Sequence, residues 1–160
     1  MSETVAAVVV TYNRADLLGR TPDGLGAQTH ELDAVIVVDN ASTDHTRAVL
    51  DAHPAIDALR LQRIHLDSNT GGSGGFRASV EAAYTQGFDR IWLMDDDVVP
   101  APDCLEVLMA QDEACLLSVR EDTHGHLVEK AATHFDLTHP WSVRPKRASV
   151  ETTYGERSAM

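Results

Sequence analysis

Short apolar runs alternate with amphipathic segments along most of the chain. Four of these runs are rich in Val, Ile and Leu, and we predict them to be β-strands: residues 4–10, 34–38, 59–66 and 90–94. The first, second and fourth are nearly continuous, which is typical of strands that are buried on both faces of a parallel sheet. The third alternates apolar with polar side chains, so we expect it near an edge of the sheet.

The segments between these runs have helical periodicity. It predicts helices over residues 15–28, 43–52, 74–87 and 102–112. The third of them places Phe76, Val80, Ala83 and Tyr84 on one face. Strands that alternate with helices predict an α/β fold, in which a mostly parallel sheet lies between two layers of helices.

The C-terminal part of the chain follows a different pattern. Residues 114–119 and 126–131 are candidates for two further strands, whereas residues from 140 onward have no helical or strand period. We therefore predict an α/β domain over residues 1–139, an irregular tail over residues 140–160, and a sheet that is incomplete at its C-terminal end.

Charge narrows the choice of ligands. The chain has 13 Lys and Arg against 25 Asp and Glu, a formal net charge of -12, so nucleic acid is not an expected partner. A phosphate ligand would need a cation or a cradle of backbone N–H groups. The two cysteines form no Cys-x-x-Cys pair, and no basic leader or long apolar stretch is present, so we expect a cytoplasmic location.

Polar residues follow each predicted strand. Ligands of open α/β sheets bind beyond the carboxyl ends of the strands. The four polar segments are Thr11-Tyr12-Asn13-Arg14, the stretch from Asp39 to Asp44, the glycine-rich stretch from Asp67 to Phe76, and Asp95-Asp96-Asp97. All four are expected at one edge of the sheet, and that convergence predicts a binding site.

The three consecutive aspartates are the sharpest of these signals. Side chains alternate along an extended chain, so Asp95 and Asp97 are expected to face one cation while Asp96 points elsewhere. Carboxylate oxygens suit Mg²⁺ or Mn²⁺, and either ion can bridge to phosphate. The alternative interpretation is a solvated acidic loop that caps the next helix.

The other three segments are less specific. The glycine-rich loop is neither a dinucleotide fingerprint nor a P-loop, but it allows a ligand to approach the backbone at the start of a helix; otherwise it is a flexible turn. Tyr12 is a candidate for stacking on a base, or else a half-buried packing residue. Asp39 is a candidate acceptor for a base or a ribose hydroxyl, or else part of an Asx turn.

The four segments together resemble a known family. VVVTYNR, VVDNASTD, NTGGSGGF and WLMDDD, in this order and spacing, look like the donor-binding half of family-2 inverting glycosyltransferases of the GT-A fold. The glycine loop and the three aspartates are most similar to the galactofuranosyltransferase and rhamnosyltransferase branch. The resemblance covers residues 4–97. It implies transfer of a sugar from a UDP-galactofuranose or dTDP-rhamnose type of donor to a cell-wall glycan or a lipid-linked acceptor.

The resemblance also implies roles for the residues on the nucleoside side of the site. Tyr12 would stack on the base, with Thr11 and Arg14 beside it. Asp39 would bind the base or the ribose, and Asp96 would lie against the nucleoside.

The remaining candidates would bind the sugar and the diphosphate. Asp95 and Asp97 would hold Mn²⁺ or Mg²⁺ on the diphosphate, where the ion neutralises the leaving group. The pocket itself would be lined by Asn69, Gly71, Gly72 and Gly74.

One expected part of such an enzyme has no clear counterpart in the sequence. An inverting transfer needs a general base, and the candidates Glu121, Asp122, Glu129 and Asp136 lack the surrounding pattern of the family. We therefore interpret the chain as the N-terminal part of such an enzyme, with peripheral membrane association in the full-length protein and self-association of the isolated chain. The alternatives are a non-catalytic nucleotide-sugar-binding module and a sugar nucleotidyltransferase.

Overall fold

The computed structural model describes residues 3–53, 58–116, 118, 124, 133–136 and 139–145. The chain divides into two compact units, Met1–Asp112 and Glu113–Met160. The first unit contains four strands in a wholly parallel sheet of order β3-β2-β1-β4. Their bounds are β1 Val5–Thr11, β2 Ala34–Asp39, β3 Leu61–His65 and β4 Arg90–Asp95.

Five helices accompany this sheet. They are α1 Ala15–Leu18, α2 Arg20–Gly26, α3 Thr46–Ala52, α4 Gly71–Thr85 and α5 Cys104–Met109. The α/β prediction is confirmed, and β3 lies at an edge of the sheet as its alternating pattern predicted. The single helix predicted over residues 15–28 is two short helices.

The core has two layers, one on each face of the sheet. Val5, Ala7 and Val9 of β1 pack on one face with Leu25 of α2 and Leu105 of α5, whereas the alternate residues of β1 pack on the other face near α4. Strand β1 is buried along its whole length because helices cover both of its faces. The prediction of three layers is therefore confirmed.

Strand β4 is less buried than its apolar sequence predicts. Leu93 is 49% exposed, although the equivalent positions of β1 and β2 are buried. In the first unit, β4 is the last strand of the sheet, and its outer side is paired with no strand among the described residues. The expectation that β4 is buried on both faces is thus wrong for this unit.

Helix α4 begins three residues earlier than predicted, because the glycine-rich segment is itself helical. Its buried residues are Gly75, Ser79 and Ala83, a narrow face of small side chains, and Tyr84 is 78% exposed. A Cβ atom on Gly75 would collide with Val10 of β1, so glycine allows the helix to lie close on the sheet.

The second unit contains an antiparallel pair, β5 Thr133–Asp136 and β6 His139–Pro145. The irregular tail predicted from residue 140 is therefore wrong over residues 140–145, which belong to β6. Residues 114–116 and 118 are not in a strand, contrary to expectation. Residues 126–131 and 146–160 lie outside the described residues, and the predicted boundary at residues 139 and 140 stays a prediction.

Candidate functional site

A cleft of about 300 Å³ lies at the carboxyl ends of the strands in the first unit. The parallel register brings these ends to one level, since Thr11 pairs with Asp39 and Val10 pairs with Asp95. The segments that follow β1, β2, β3 and β4 all contribute to the cleft. Its wall is formed by Val10, Thr11, Tyr12, Arg14, Asn40, Asn69, Gly71, Gly72, Phe76, Asp95 and Asp96.

The loops after β1 and β2 are joined by hydrogen bonds. The amide N–H of Asn13 donates to Ser42 Oγ at 2.9 Å, and Asn13 Oδ1 accepts from the Thr43 N–H at 2.8 Å. The N–H of Arg14 donates to Thr46 Oγ1 at 3.1 Å. These bonds fix the backbone between Tyr12 and Arg14, which carries two of the residues in the cleft wall.

Asn40 joins the loop after β2 to the start of α4. Its Nδ2 donates to Asn69 Oδ1 and to the carbonyl of Gly71, at 3.1 and 3.0 Å, while its Oδ1 accepts from the N–H of Thr70 at 2.9 Å and from the Thr70 hydroxyl. Asn40 is only 2% exposed, whereas its partners Asn69, Thr70 and Gly71 are exposed, so these bonds are partly shielded from water. The side chain of Asn40 therefore fixes the position of the start of α4 at the edge of the cleft.

Asp39 lies behind the cleft and is not part of its wall. Its Oδ1 accepts from the Ser42 N–H at 2.9 Å, and its Oδ2 lies 3.1 Å from His65 Nδ1 and 3.9 Å from Arg47 Nε. Burial raises the pKa of Asp39, but the hydrogen bonds from Ser42 and His65 outweigh it and hold the pKa below its ordinary value. Asp39 is thus a buried carboxylate held in one orientation.

The three aspartates form a turn at the end of β4. The strand ends at Asp95, and Asp96 and Asp97 lie in a turn that the Val98 N–H closes to the Asp95 carbonyl at 3.4 Å. The extended alternation assumed from the sequence therefore stops at Asp95. Asp95 and Asp97 are exposed and Asp96 is buried, but the pair that lines the cleft is Asp95 and Asp96.

Asp96 has an unusual environment for a carboxyl group. Burial raises its pKa above the ordinary value, and the neighbouring charges of Asp97 and Asp95 add to that rise. The hydroxyl of Thr11 and the positive charge of Arg14 act in the opposite direction. Asp96 forms no ion pair within the part of the chain that the structure describes, so its carboxyl remains available to a ligand.

Thr11 is a second buried polar residue in the cleft wall. The residue is 2% exposed, and its Oγ1 makes no hydrogen bond of normal geometry among the described residues. The same hydroxyl lies close enough to the Asp96 carboxyl to lower the pKa of that group. Because buried hydroxyl groups are nearly always satisfied in native proteins, this imperfect contact is a place where a polar ligand atom can improve the hydrogen bonding.

Two of the three predicted glycines line the cleft. Gly71, at a φ of +72°, and Gly72 have open space where a Cβ atom would lie, so a ligand can approach the backbone there. Gly74 is not in the wall, and a Cβ on it would collide with Thr70. The first turn of α4 therefore contributes backbone to the cleft, as expected, although as a helix rather than a loop.

The carboxylates suit a divalent cation that a ligand helps to hold. No group of three or more His, Cys, Asp or Glu side chains is gathered for a metal among the residues with described positions. Mg²⁺ and ions like it are commonly held by one or two carboxylates together with phosphate oxygens and water. The acidic turn provides such a partial set, so these residues fit a metal that binds with a diphosphate.

Not every predicted site residue can be placed. Glu121, Asp122 and Glu129 lie outside the described residues, and Asp136 is the last residue of β5. The general base therefore stays unassigned.

Three residues of the cleft wall are not among the site residues predicted one by one. Asn40 and Phe76 lie within two of the polar segments expected at this edge, but neither has a predicted role of its own. Phe76 was also expected on one face of a helix that in fact begins at Gly71. Val10 reads as an ordinary strand residue, and no sequence signal distinguishes it.

The class of protein follows from comparison with known families. The model for glycosyl transferase family 2 matches residues 6–133, so the chain belongs to that family. A galactofuranosyltransferase GlfT1 from Mycolicibacterium smegmatis is 38% identical over 100 residues, which is 62% of this chain and 32% of that protein. GlfT1 from Mycobacterium tuberculosis is 40% identical over 99 residues. The chain spans about a third of the length of these curated relatives.

Solved structures support the same fold, that of the GT-A glycosyltransferases. The mannosyltransferase PcManGT from Pyrobaculum calidifontis, in complex with GDP-Man and Mn²⁺, superposes with a TM-score of 0.67 at 22% identity, over 97% of this chain and 48% of that one. S. aureus TarS in complex with UDP superposes with a TM-score of 0.59 at 23% identity, over 67% and 31% of the two chains. The resemblance stated from the sequence motifs is thereby confirmed at the level of family and fold.

Proposed function

We propose that this chain is the donor-binding half of a metal-dependent, inverting glycosyltransferase. The donor is a nucleoside diphosphate sugar of the UDP-galactofuranose type, and the acceptor is a cell-wall glycan or a lipid-linked glycan. The similarity to two GlfT1 proteins at 38% and 40% identity favours galactofuranose over rhamnose as the transferred sugar.

One observation carries the proposal. Segments after four parallel strands converge on one cleft that contains two buried polar groups, the Thr11 hydroxyl and the Asp96 carboxyl, and the carboxyl has no ion-pair partner among the described residues. Both groups can take part in binding a polar ligand. A nucleoside offers such groups on its base and its ribose, and the exposed ring of Tyr12 in the same wall offers a stacking surface.

The proposed nucleoside site uses the wall formed by β1 and β2. Tyr12 stacks on the base, Thr11 Oγ1 hydrogen-bonds to the nucleoside, and Arg14 lies near the phosphates. Asp39 keeps its proposed role as a contact for the base or the ribose. Because it is 1% exposed and already bonded to Ser42, direct contact requires the surrounding loops to open.

The diphosphate is proposed to lie between the acidic turn and the first turn of α4. Asn69, Gly71 and Gly72 line this side of the cleft, and Gly74 supports it from behind. Asp95 and Asp97 are the proposed ligands of Mn²⁺ or Mg²⁺. When bound, the cation would offset the negative charge of the leaving diphosphate.

The proposal is tested first by binding. Because the chain has a net charge of -12 and the diphosphate side of the cleft is acidic, UDP should bind measurably only with a divalent cation. Isothermal titration of UDP with Mn²⁺, and again after addition of EDTA, measures this dependence. Equal affinity in both titrations contradicts the metal assignment.

Variants separate the roles of the three aspartates. Asp97→Ala and Asp95→Ala should each abolish the Mn²⁺ dependence of UDP binding, whereas Asp96→Ala should weaken UDP and leave Mn²⁺ binding measurable. The same titrations decide the outcome. If Asp96→Ala alone removed Mn²⁺ binding, the assignment of Asp95 and Asp97 would be wrong, and the pair in the cleft wall, Asp95 and Asp96, would be the ligands.

Transfer assays distinguish the alternative functions. Radiolabelled UDP-galactofuranose and dTDP-rhamnose, each with and without a glycan acceptor, test for transfer and hydrolysis. Donor binding without turnover supports the non-catalytic binding module, and formation of a sugar nucleotide from a sugar phosphate and UTP supports the nucleotidyltransferase. We expect slow hydrolysis and no transfer from this chain alone, because it spans about a third of the length of its curated relatives.

The proposal also covers where the chain acts in the cell and whether it self-associates. No helix within the described residues has the length and apolar character to cross a bilayer. We propose that the chain acts in the cytoplasm, that the longer enzyme works at the inner face of the plasma membrane, and that the isolated chain self-associates. Light scattering tests the last point, and a monodisperse monomer contradicts it.

A further inference from the structure

A buried hydroxyl group from α2 contacts the backbone of the acidic turn. Thr21 is completely buried, and its Oγ1 lies 2.8 Å from the carbonyl oxygen of Asp96 and 3.1 Å from that of Val98. One hydroxyl proton is thus shared between two carbonyls of the same turn. Thr21 is the second residue of α2, where its own helix has no carbonyl three or four residues earlier, so its hydroxyl is free to donate outside the helix.

The turn has little other internal support. The hydrogen bond that closes it, from the Val98 N–H to the Asp95 carbonyl, is long at 3.4 Å. The carboxyl groups of Asp95, Asp96 and Asp97 form no ion pairs among the described residues. The positions of these carboxyl groups therefore depend largely on the backbone of the turn, and among the described residues the hydroxyl of Thr21 hydrogen-bonds directly to this backbone.

We propose that Thr21 is a positioning residue for the metal-binding aspartates. It touches neither donor nor metal; its hydroxyl sets the direction of the Asp96 and Val98 carbonyls and so the geometry of the turn. This inference rests on the proposed function, because it assumes that the acidic turn holds a divalent cation with a nucleoside diphosphate.

Thr46 provides a matched control on the opposite wall. It is also completely buried, and its Oγ1 accepts from the Arg14 N–H at 3.1 Å, so it supports the loop after β1 rather than the acidic turn. Valine has nearly the shape of threonine without the hydroxyl. Thr21→Val and Thr46→Val therefore remove one hydroxyl each from two walls of one cleft.

The experiment measures UDP affinity by calorimetry with and without Mn²⁺, and the Mn²⁺ environment by electron paramagnetic resonance. Thr21→Val should lower the affinity of the UDP complex for Mn²⁺ by about 10-fold or more, which is the usual loss when support for a metal ligand is removed. It should also change the resonance spectrum. Thr21→Ser, which keeps the hydroxyl, should restore both. Thr46→Val should weaken the binding of UDP in the presence of Mn²⁺ and leave the resonance spectrum of the complex unchanged.

Each outcome decides the matter. A folded Thr21→Val protein with wild-type Mn²⁺ affinity and spectrum overturns the inference, and so does a Thr21→Ser protein as impaired as Thr21→Val. If Thr21→Val does not fold, Thr21→Cys replaces it; its weak thiol donor should give an intermediate affinity, and a wild-type affinity overturns the inference. If the wild-type protein itself shows no Mn²⁺ dependence, the metal part of the proposed function is wrong and the inference fails with it.

Discussion

The two walls of the cleft are built differently. On the wall from β1 and β2, side chains of Asn13, Asn40 and Asp39 cross-link three loops through hydrogen bonds of mostly 2.8–3.1 Å. On the wall from β4, the hydroxyl of Thr21 and one long turn bond hold the acidic turn. Both walls stand on strands of the same parallel sheet, so the difference comes from the loops alone.

This contrast shows where the site is shaped before a ligand arrives. The cross-linked wall offers fixed positions, which suits a rigid base and ribose, because binding then costs little ordering of the protein. The carboxyl groups of the acidic turn have no ion-pair partners among the described residues, and a cation can arrange them as it binds. The predictions below test this difference, beginning with the largest effect.

Loss of Asn40 should damage the cross-linked wall most. Asn40→Ala removes four hydrogen bonds from a side chain that is 2% exposed, whereas the partner groups on Asn69 and Thr70 belong to exposed residues and can bond to water instead. At about 0.5–1.5 kcal/mol for each bond, the free energy of unfolding should fall by about 2–6 kcal/mol. Urea denaturation measures the loss, and calorimetry should find weaker UDP binding.

Thr21→Val is the matched variant on the other wall. It should lower the free energy of unfolding less than Asn40→Ala, because it breaks one shared hydrogen bond, yet it should reduce Mn²⁺ affinity more. If the same variant shows the larger loss both in the free energy of unfolding and in Mn²⁺ affinity, the two walls do not differ as described.

The close approach of α4 to β1 should be sensitive to one added methyl group. Gly75→Ala places a Cβ in collision with Val10, which belongs to the cleft wall, and overpacking of this kind costs about 1–3 kcal/mol. Gly72→Ala, in the same helix, meets no atom within 4 Å and should raise the free energy of unfolding by up to about 1 kcal/mol, because alanine has the higher helix propensity. Equal gains in the two variants would show that helix propensity, not contact with the sheet, sets the effect.

The smallest expected effect is a gain in the stability of the folded protein, whereas Asn40→Ala, Thr21→Val and Gly75→Ala lose stability or affinity. Burial raises the pKa of Asp96 in the folded protein, so the ionised carboxylate opposes folding, and stability falls as the pH rises through that pKa. Asp96→Asn should therefore unfold at a slightly higher temperature than wild type at pH 7 while binding UDP less tightly. Below pH 3.8, the ordinary Asp value, the advantage should shrink; an advantage that does not change with pH would assign it to another cause.

The strands were predictable because their apolar runs have a direct physical cause. The ends of β1 and β2 came within one residue of the prediction, since burial on both faces requires continuous apolar sequence. The exposure of Leu93 was not predictable, because the run in β4 reflects local composition, whereas exposure depends on what lies beside the strand. Tyr84 was misplaced for a related reason, since small residues rather than large ones face the sheet in α4.

The location of the site was predictable from the sequence, but the hydrogen bonds between its distant residues were not. The expectation of a parallel sheet and the polar strand ends were sufficient to bring Thr11, Tyr12, Asn69 and Asp96 together. The contact from Thr21 to the acidic turn joins residues 75 positions apart and leaves no local pattern. Alternation failed at Asp97 because a turn, not a strand, follows Asp95.

The aligned strand ends also limit how the length of this chain can change. Thr11 pairs with Asp39, and Val10 pairs with Asp95. The register of each strand therefore determines where the loop after it begins. A single deletion within β4 would move Asp96 to the level of Val10 and turn its carboxyl to the other face. Insertions and deletions should therefore be tolerated only where they leave the carboxyl halves of the strands intact. In a series of deletions within β4, the deletion of a single residue should already abolish UDP binding.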